Sequence, residues 1–337
     1  MSSTEFKNRV YGCVVVKAIN ANYNADFSGL PRRLKSDGSF YATDKSFKWL
    51  VRNYIKKNYS HEKVLFTKVF DDKLNTMKLK EAFESLSDEK INKDNMKDTL
   101  FPKLLNFIDI RLFGAVFSPE GKKDNNISIH GNVQINHATD LYKKGRVYTD
   151  EILAPFTAIG SMSKATEAHY IHNFSVNPKN LSSWKNIFKK DAETSKQETL
   201  LDDDVKNDTF KLLSQNDIAI LKNSFNNAAT FYDSHSKAGV ENELSIYVTL
   251  KETSTLTLPS LAQFIAFEKG KENENNSFDI TKLINYLSKY EEQIKSIDIY
   301  YIDELLNVIN SSNELSAIIH KHDLLEVLEV NENEKTY

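Results

Sequence analysis

The residues of this 337-residue chain that could do chemistry gather first in one loop, NANYNADFSGLPRRLKSDGSFYATD, which runs from Asn20 to Asp44. It offers a lone carboxylate, Asp26, and a cationic cluster, Arg32-Arg33-Lys35. A lone carboxylate could act as a base toward a ribose hydroxyl. General acid–base work normally needs a second group or a metal within reach, and the sequence places neither beside it. Arginine forks match phosphate oxygens bidentately. The small residues Asn24, Ala25, Ser28 and Gly29 would let backbone N–H groups approach a phosphate. Three readings therefore stay open: a catalytic loop, a phosphate cradle, or a polar link between a strand and a helix.

Other candidates are weaker. His169 and His172 are spaced i,i+3, so on a strand their rings point to opposite faces and do not share a metal. Asp202-Asp203-Asp204 has no Gly or Glu at calcium-loop spacing and reads as a solvated acidic run, as does Asp71-Asp72. The sequence has no Walker A loop, GxGxxG, HExxH or GxSxG. No metal or cofactor is expected. The single cysteine, Cys13, lies in an apolar run and is expected in the core. No run approaches the roughly 18 apolar residues of a membrane helix. The N-terminal MSSTEFKNR lacks an apolar h-region, so a reducing, cytoplasmic setting without membrane partners is expected.

The elements that must position these residues follow from periodicity. VYGCVVVKAI, 10–19, reads as a central strand buried on both faces. In TDKSFKWLVRNYIKKN, Phe47, Leu50, Val51, Tyr54 and Ile55 form one helical stripe, with Thr43 or Asp44 as N-cap. Lys45, Lys48, Arg52, Lys56 and Lys57 lie off it. Residues 60–108 are polar and mostly helical in tone, an insertion between core elements. ISIHGNVQIN, 127–136, reads as a strand interrupted at Gly131. Residues 151–178 form two extended halves around a small-residue tip, Gly160-Ser161-Met162-Ser163-Lys164. Residues 190–209 read as mobile. Ser214-x-x-Asp217 is a capping-box pattern that opens a helix, and Gly239 is expected to stop it. LSIYVTLK, 244–251, alternates cleanly and reads as a half-buried strand. The order strand, helix, strand, strand excursion, helix, strand fits an α+β fold of split β-α-β, ferredoxin-like type with insertions.

Net charge is only −3, but it is unevenly spread: +7 over residues 1–66, −1 over 67–110, +5 over 111–190 and −14 over 191–337. Phosphate binding depends on local potential rather than the total, so a polyanion site on one face is permitted.

The ordered set of the PRR loop, "YATDKSFKWLVRNYI", "DIRLFGAVF", "ISIHGNVQIN", "IGSMSKATEAHYIHNFSVNP", "LSQNDIAILKNSFNNAATFYDSHSKAG" and "NELSIYVTLKETS" resembles the backbone subunit of type I CRISPR surveillance complexes (Cascade), most like the type I-B branch. The resemblance covers roughly residues 8–255. Where that family often reads GPVQ this chain reads GNVQ, and its GSMSK segment carries one lysine where a GRK-like tip is common. The resemblance implies an RNA-recognition-motif-like (ferredoxin-like) palm with a large helical finger insertion and a thumb hairpin. It divides the chain into palm at 1–58, fingers at 59–110, palm continued at 111–255 with the thumb about 151–178, a palm-associated segment at 256–330 and a disordered tail at 331–337. It implies a non-catalytic subunit whose partners are a CRISPR RNA, target DNA through guide pairing, copies of itself head to tail, and other Cascade subunits. Carried over by position, Arg32 and Arg33 become guide-RNA contacts, with Asn24, Lys35, Lys45, Lys48 and Arg52 beside them. Ser161, Met162, Ser163 and Lys164 become the thumb tip, with Met162 as the wedge between bases. Type III relatives cut RNA with a first-loop aspartate, which makes a metal-dependent endoribonuclease using Asp26 the rival reading.

Overall fold

The computed structural model describes residues 4–87, 90–91, 96–118, 126–153, 159–184 and 210–330. The acidic run Asp202–Asp204, the stretch 190–209 and the tail 331–337 lie outside the described residues.

The architecture is mixed α+β. Strand β1 (Val10–Ala21) is central, because its odd and even positions are both apolar. Tyr11, Cys13 and Val15 face one core, and Val10, Val14, Val16 and Ala18 face the other. The expectation of a strand buried on both faces holds, and Cys13 is buried. After the short β2 (Tyr41–Ala42) comes α1 (Asp44–Asn58). Its stripe of Phe47, Leu50, Val51, Tyr54 and Ile55 is buried as its spacing predicts, and Thr43 caps it.

The stretch from 60 to 130 holds α2 (Leu79–Ser87), α3 (Met96–Leu104), α4 (Ile108–Phe113), β3 (Gly114–Phe117) and β4 (Ile127–His130). These surround a separate apolar cluster that includes Phe83, Leu104, Phe107, Phe117 and Ile129. Then follow β5 (Val133–Ile135), β6 (Ala138–Asp140), β7 (Val147–Leu153), β8 (Ile159–Val176), α5 (Gln215–Phe231) and β9 (Val240–Leu250). The chain continues through β10 (Ala266–Glu268), β11 (Asn276–Asp279), α6 (Thr281–Leu287), β12 (Ile294–Tyr301), β13 (Leu306–Ile309) and β14 (Ile319–Asp323).

The main sheet runs β14-β12-β9-β1-β8-β6-β2, with β5 and β7 also on β8. Strand β1 is antiparallel to both β8 and β9, and β8 is antiparallel to β5 and β6. Helices α1 and α5 pack together over one face. The capping box of Ser214 and Asp217 is present at the start of α5. The segment after 256, through Leu258, Leu261, Phe278, Leu283 and Leu287, covers the other face.

Two expectations are corrected here. Strand β9 is not half-buried: Ser245, Tyr247 and Thr249 are buried as well. Its second face lies under α5, where Tyr247 Oη donates to Asn226 Oδ1 at 3.0 Å. The Gly160–Lys164 segment is not a hairpin tip. It lies within β8, with Gly160 opposite Ile152 and Lys164 opposite Tyr148. Residues 154–158, between β7 and β8, lie outside the described residues.

Gly114 and Gly131 explain why "LFGAVF" and "GNVQIN" occur as a pair. A Cβ on Gly131 would sit 2.1 Å from the Gly114 nitrogen, and one on Gly114 would sit 2.2 Å from the Ile129 carbonyl oxygen. Gly114 also has φ near +70°, which favours glycine. The expected interruption at Gly131 is where the chain leaves the β3–β4 hairpin and joins the main sheet as β5.

Candidate nucleic-acid interface

The first loop leaves β1 at Ala21; Tyr23 and Phe40 anchor it in the core, and backbone and side-chain bonds hold the exposed stretch between them. Asn22 Nδ2 donates to Gly29 O and to Ser163 O, both at 3.0 Å. That one amide brings together two regions that the sequence marks separately, the PRR loop and the Ser161–Lys164 segment. Lys237, in the turn before β9, donates Nζ to Tyr23 O at 2.6 Å. Burial pulls the Lys237 ammonium down to about 8. Sequence reasoning misses this residue, because a single lysine in SHSKAG carries no signal.

Asp26 is a structural acceptor in its own turn. Its Oδ1 takes N–H bonds from Ser28 at 2.8 Å and Leu30 at 3.0 Å, the pattern by which Asp shapes turns. Asn24 is likewise engaged: its Oδ1 accepts from the Thr43 N–H at 2.9 Å and from Thr43 Oγ1 at 3.0 Å, which secures the entry to α1.

The cations divide into two sets. Lys48 pairs with Asp44 at 3.0 Å, and Arg52 Nε pairs with the fully buried Asp109 at 3.0 Å. Arg52 also lies over the Phe113 ring, 5.2 Å from its centroid. Arg52 thus ties α1 to α4, the Lys48 pair lies within α1, and both cations are mostly shielded from solvent. Arg32, Arg33, Lys35 and Lys45 form no ion pair among the described residues. Arg33, Lys35 and Lys45 are exposed; Arg32 is half-buried, and its Nε is buried without a hydrogen-bond partner. Arg33 stacks its guanidinium over Phe40 at 4.8 Å, an arrangement that fixes the fork without consuming its donors.

A second basic loop adjoins the first. Asp140 N donates to Phe40 O at 3.1 Å, and a Cβ on Gly145 would lie 2.9 Å from the Phe40 ring. This β6–β7 loop carries Lys143, Lys144 and Arg146, all open to solvent in whole or in part. The signal KKGR is present in the sequence, but nothing local ties it to a loop more than a hundred residues earlier. Nearby, His137 and Tyr41 stack with ring centroids 6.2 Å apart, and His137 Nε2 lies 3.3 Å from Asp44 Oδ1.

The β7–β8 ribbon completes this end of the sheet. Strand β1 ends its pairing at Ala21 with Ala165, so residues 159–164 run beyond it, paired with β7. Ser163 Oγ meets Thr149 Oγ1 at 2.8 Å, and Lys164 pairs with Asp150 at 3.4 Å. Ser161 is exposed and Met162 half-buried. Two loops and a ribbon thus form one rim at the end of β1, rich in cations that have no carboxylate partner among the described residues. Such a rim can hold a chain of phosphates by charge and by arginine forks.

The two histidines of β8 stand on opposite faces, as their spacing predicts. His169 contacts Glu243 and Glu167, whereas His172 contacts Tyr23 and Asn136. They do not converge on a metal. No helix among the described residues is long and apolar enough to cross a membrane.

Comparison with known proteins agrees with the sequence resemblance at the level of the family. The profile of the family described as CRISPR-associated protein Cas7 matches residues 8–295. No curated protein matches the chain. Among solved structures, a chain described as "CRISPR RNA-guided surveillance complex, pre-nicking" aligns with a TM-score of 0.49 and 12% identity, covering 94% of this chain and 96% of that one. A chain of a "CRISPR RNA-guided surveillance complex" aligns with a TM-score of 0.44 and 12% identity, covering 94% of each.

Proposed function

The chain belongs to the CRISPR-associated protein Cas7 family, and from that premise we propose that it is an RNA-binding backbone subunit of a type I surveillance complex, of the I-B kind. In this reading copies of the chain follow one another head to tail along a CRISPR RNA. Other Cascade subunits cap the filament, and the guide's bases are left free to pair with target DNA. A contact that does not close on itself builds such a filament, and the length of the RNA limits it. The chain itself cuts nothing.

The observation that carries this proposal is the rim of unpaired cations, Arg32, Arg33, Lys35 and Lys45 with Lys143, Lys144 and Arg146, at one end of the sheet. Grip on the backbone by charge leaves the bases unread by the protein. The order β9-β1-β8-β6, antiparallel throughout, with α1 after β1 and α5 before β9, supports the palm of RNA-recognition-motif type. The apolar cluster around Phe83 and Phe107 supports a finger insertion with its own core. The β7–β8 ribbon is the natural thumb, and Met162 stands within its paired length, opposite Asp150, rather than at a tip. The acidic C-terminal part packs on the far face of the sheet and is assigned to neighbours and solvent. Asp26 is assigned to shaping the loop, on the strength of its two amide bonds, rather than to catalysis.

Purification tests the proposal. Expressed with a CRISPR array, the chain is expected to carry short RNA and to run as a multi-copy assembly that ribonuclease disperses. A nucleic-acid-free monomer under those conditions would overturn it. Divalent-metal-dependent RNA cleavage that disappears in Asp26→Ala would favour the endoribonuclease instead.

A further inference from the structure

The ring of Phe27 is fully in solvent, with a relative exposure of 105%. An exposed aromatic on a loose loop would mean little, but this loop is tightly built. Asp26 N donates to Leu30 O at 2.8 Å, and Gly29 N to Asp26 O at 3.2 Å. Asp26 Oδ1 accepts the amides of Ser28 and Leu30. Gly29 takes φ near +82°, and Ala25 bridges to Pro31. Asn22 then ties the turn to β8. Phe27 therefore sits at the apex of a tight turn, 26–30, that presents the ring rather than burying it.

We infer that Phe27 is a stacking platform for a base of the bound RNA, an inference that rests on the RNA-binding reading above. Proteins that hold single strands without reading sequence pair a cationic groove with aromatic rings, because every base has a π-face. Here the cations are supplied within the same loop. Arg32 and Arg33 follow the turn directly, and Arg32 N donates to Asn24 O at 3.1 Å, which folds the arginines back against the base of the turn. An apolar pocket on a neighbouring protein would be the other occupant for such a ring. The unpaired guanidinium groups beside it favour a polyanion, since an apolar pocket would have to desolvate them without compensation. Asp26 acquires a purpose on this view: its charge is taken up by the amides that hold Phe27 out.

The test compares two strands on the full chain: a single-stranded RNA and a backbone of equal length without bases. Phe27→Ala is expected to weaken binding of the RNA by about 5- to 150-fold, the contribution of one stacked base, and to leave the base-free strand unchanged. Phe27→Trp is expected to keep affinity and to show fluorescence quenching on RNA, beyond that of the wild type, that the base-free strand does not cause. Equal weakening on both strands would overturn the inference, as would no change on either. Impaired self-association without RNA, at unchanged RNA affinity, would assign the ring to a protein contact instead. A wild-type chain that binds neither strand would remove the RNA reading itself, an outcome distinct from the others.

Discussion

His169 and His172 lie three residues apart on β8 and are both fully buried, yet their surroundings push them in opposite directions. Burial disfavours the charged His169 ring, but hydrogen bonds to Glu167 at 3.1 Å and Glu243 at 2.6 Å outweigh it and raise the group to about 9. Lys269 joins the set through Glu167 at 2.5 Å, tying the C-terminal segment to β8. Burial lowers His172 to about 4. Its Nδ1 donates to Asn136 O, so its Nε2 accepts from Tyr23 Oη. The linkage signs follow. The stability that charged His169 contributes is complete below its unfolded value near 6.5 and is lost as pH rises through 9. The stability that neutral His172 contributes is complete above 6.5 and is lost as pH falls through 4. The pair thus favours a maximum near pH 6.5, each limb amounting to roughly 3 kcal/mol. Denaturant midpoints measured from about pH 4 to 10 are expected to lose most of the alkaline decline in His169→Gln and part of the acid decline in His172→Gln. Unchanged slopes in both variants would contradict the assignment.

Between elements, the join that matters most is Arg111 on α4. Its guanidinium donates to Asp217 of the α5 capping box at 2.7 and 3.2 Å, to Glu62 at 3.1 Å and to the carbonyls of Leu105 and Asn106. Burial pushes the Glu62 carboxyl up even with Arg111 beside it, so this cation is needed to keep two buried acids tolerable. Arg111→Met is expected to cost about 3–5 kcal/mol in unfolding free energy, because it strands those acids. Adding Glu62→Gln should restore part of that stability. A cost below about 1 kcal/mol would mean that the network is not what fixes α5 to α4. The same contrast shows what the sequence could reveal. The Ser214–Asp217 box and the α1 stripe are local patterns, and both are present. That Asp217 also serves Arg111, 106 residues away, has no local signature. Arg52 reads as free for RNA because its partner Asp109 is 57 residues further on. The Lys48 pair with Asp44 is different: its i,i+4 spacing is readable and marks that lysine as engaged.

At the scale of the whole molecule, the main sheet is covered on both sides. Helices α1 and α5 cover one side and the segment after 256 covers the other. This double cover is why β9 is buried on both faces although its sequence alternates, and it closes the surface on which an RNA-recognition motif would stack bases. What remains for a polyanion is the end of the sheet, where the rim cations gather. The uneven charge of the sequence points to a basic region. It does not show that residues 32–35 and 143–146 share one edge, since that juxtaposition depends on the packing of Gly145 against Phe40. The salt dependence of RNA binding tests this arrangement most directly. Removing one phosphate contact should flatten the plot of log affinity against log salt by about 0.7 for a single strand. Arg32→Ala combined with Arg33→Ala is expected to lower that slope by about 1.4 while the chain stays folded with a modestly lowered thermal unfolding midpoint, since Arg33 packs on Phe40; a slope equal to that of the wild type would contradict the account.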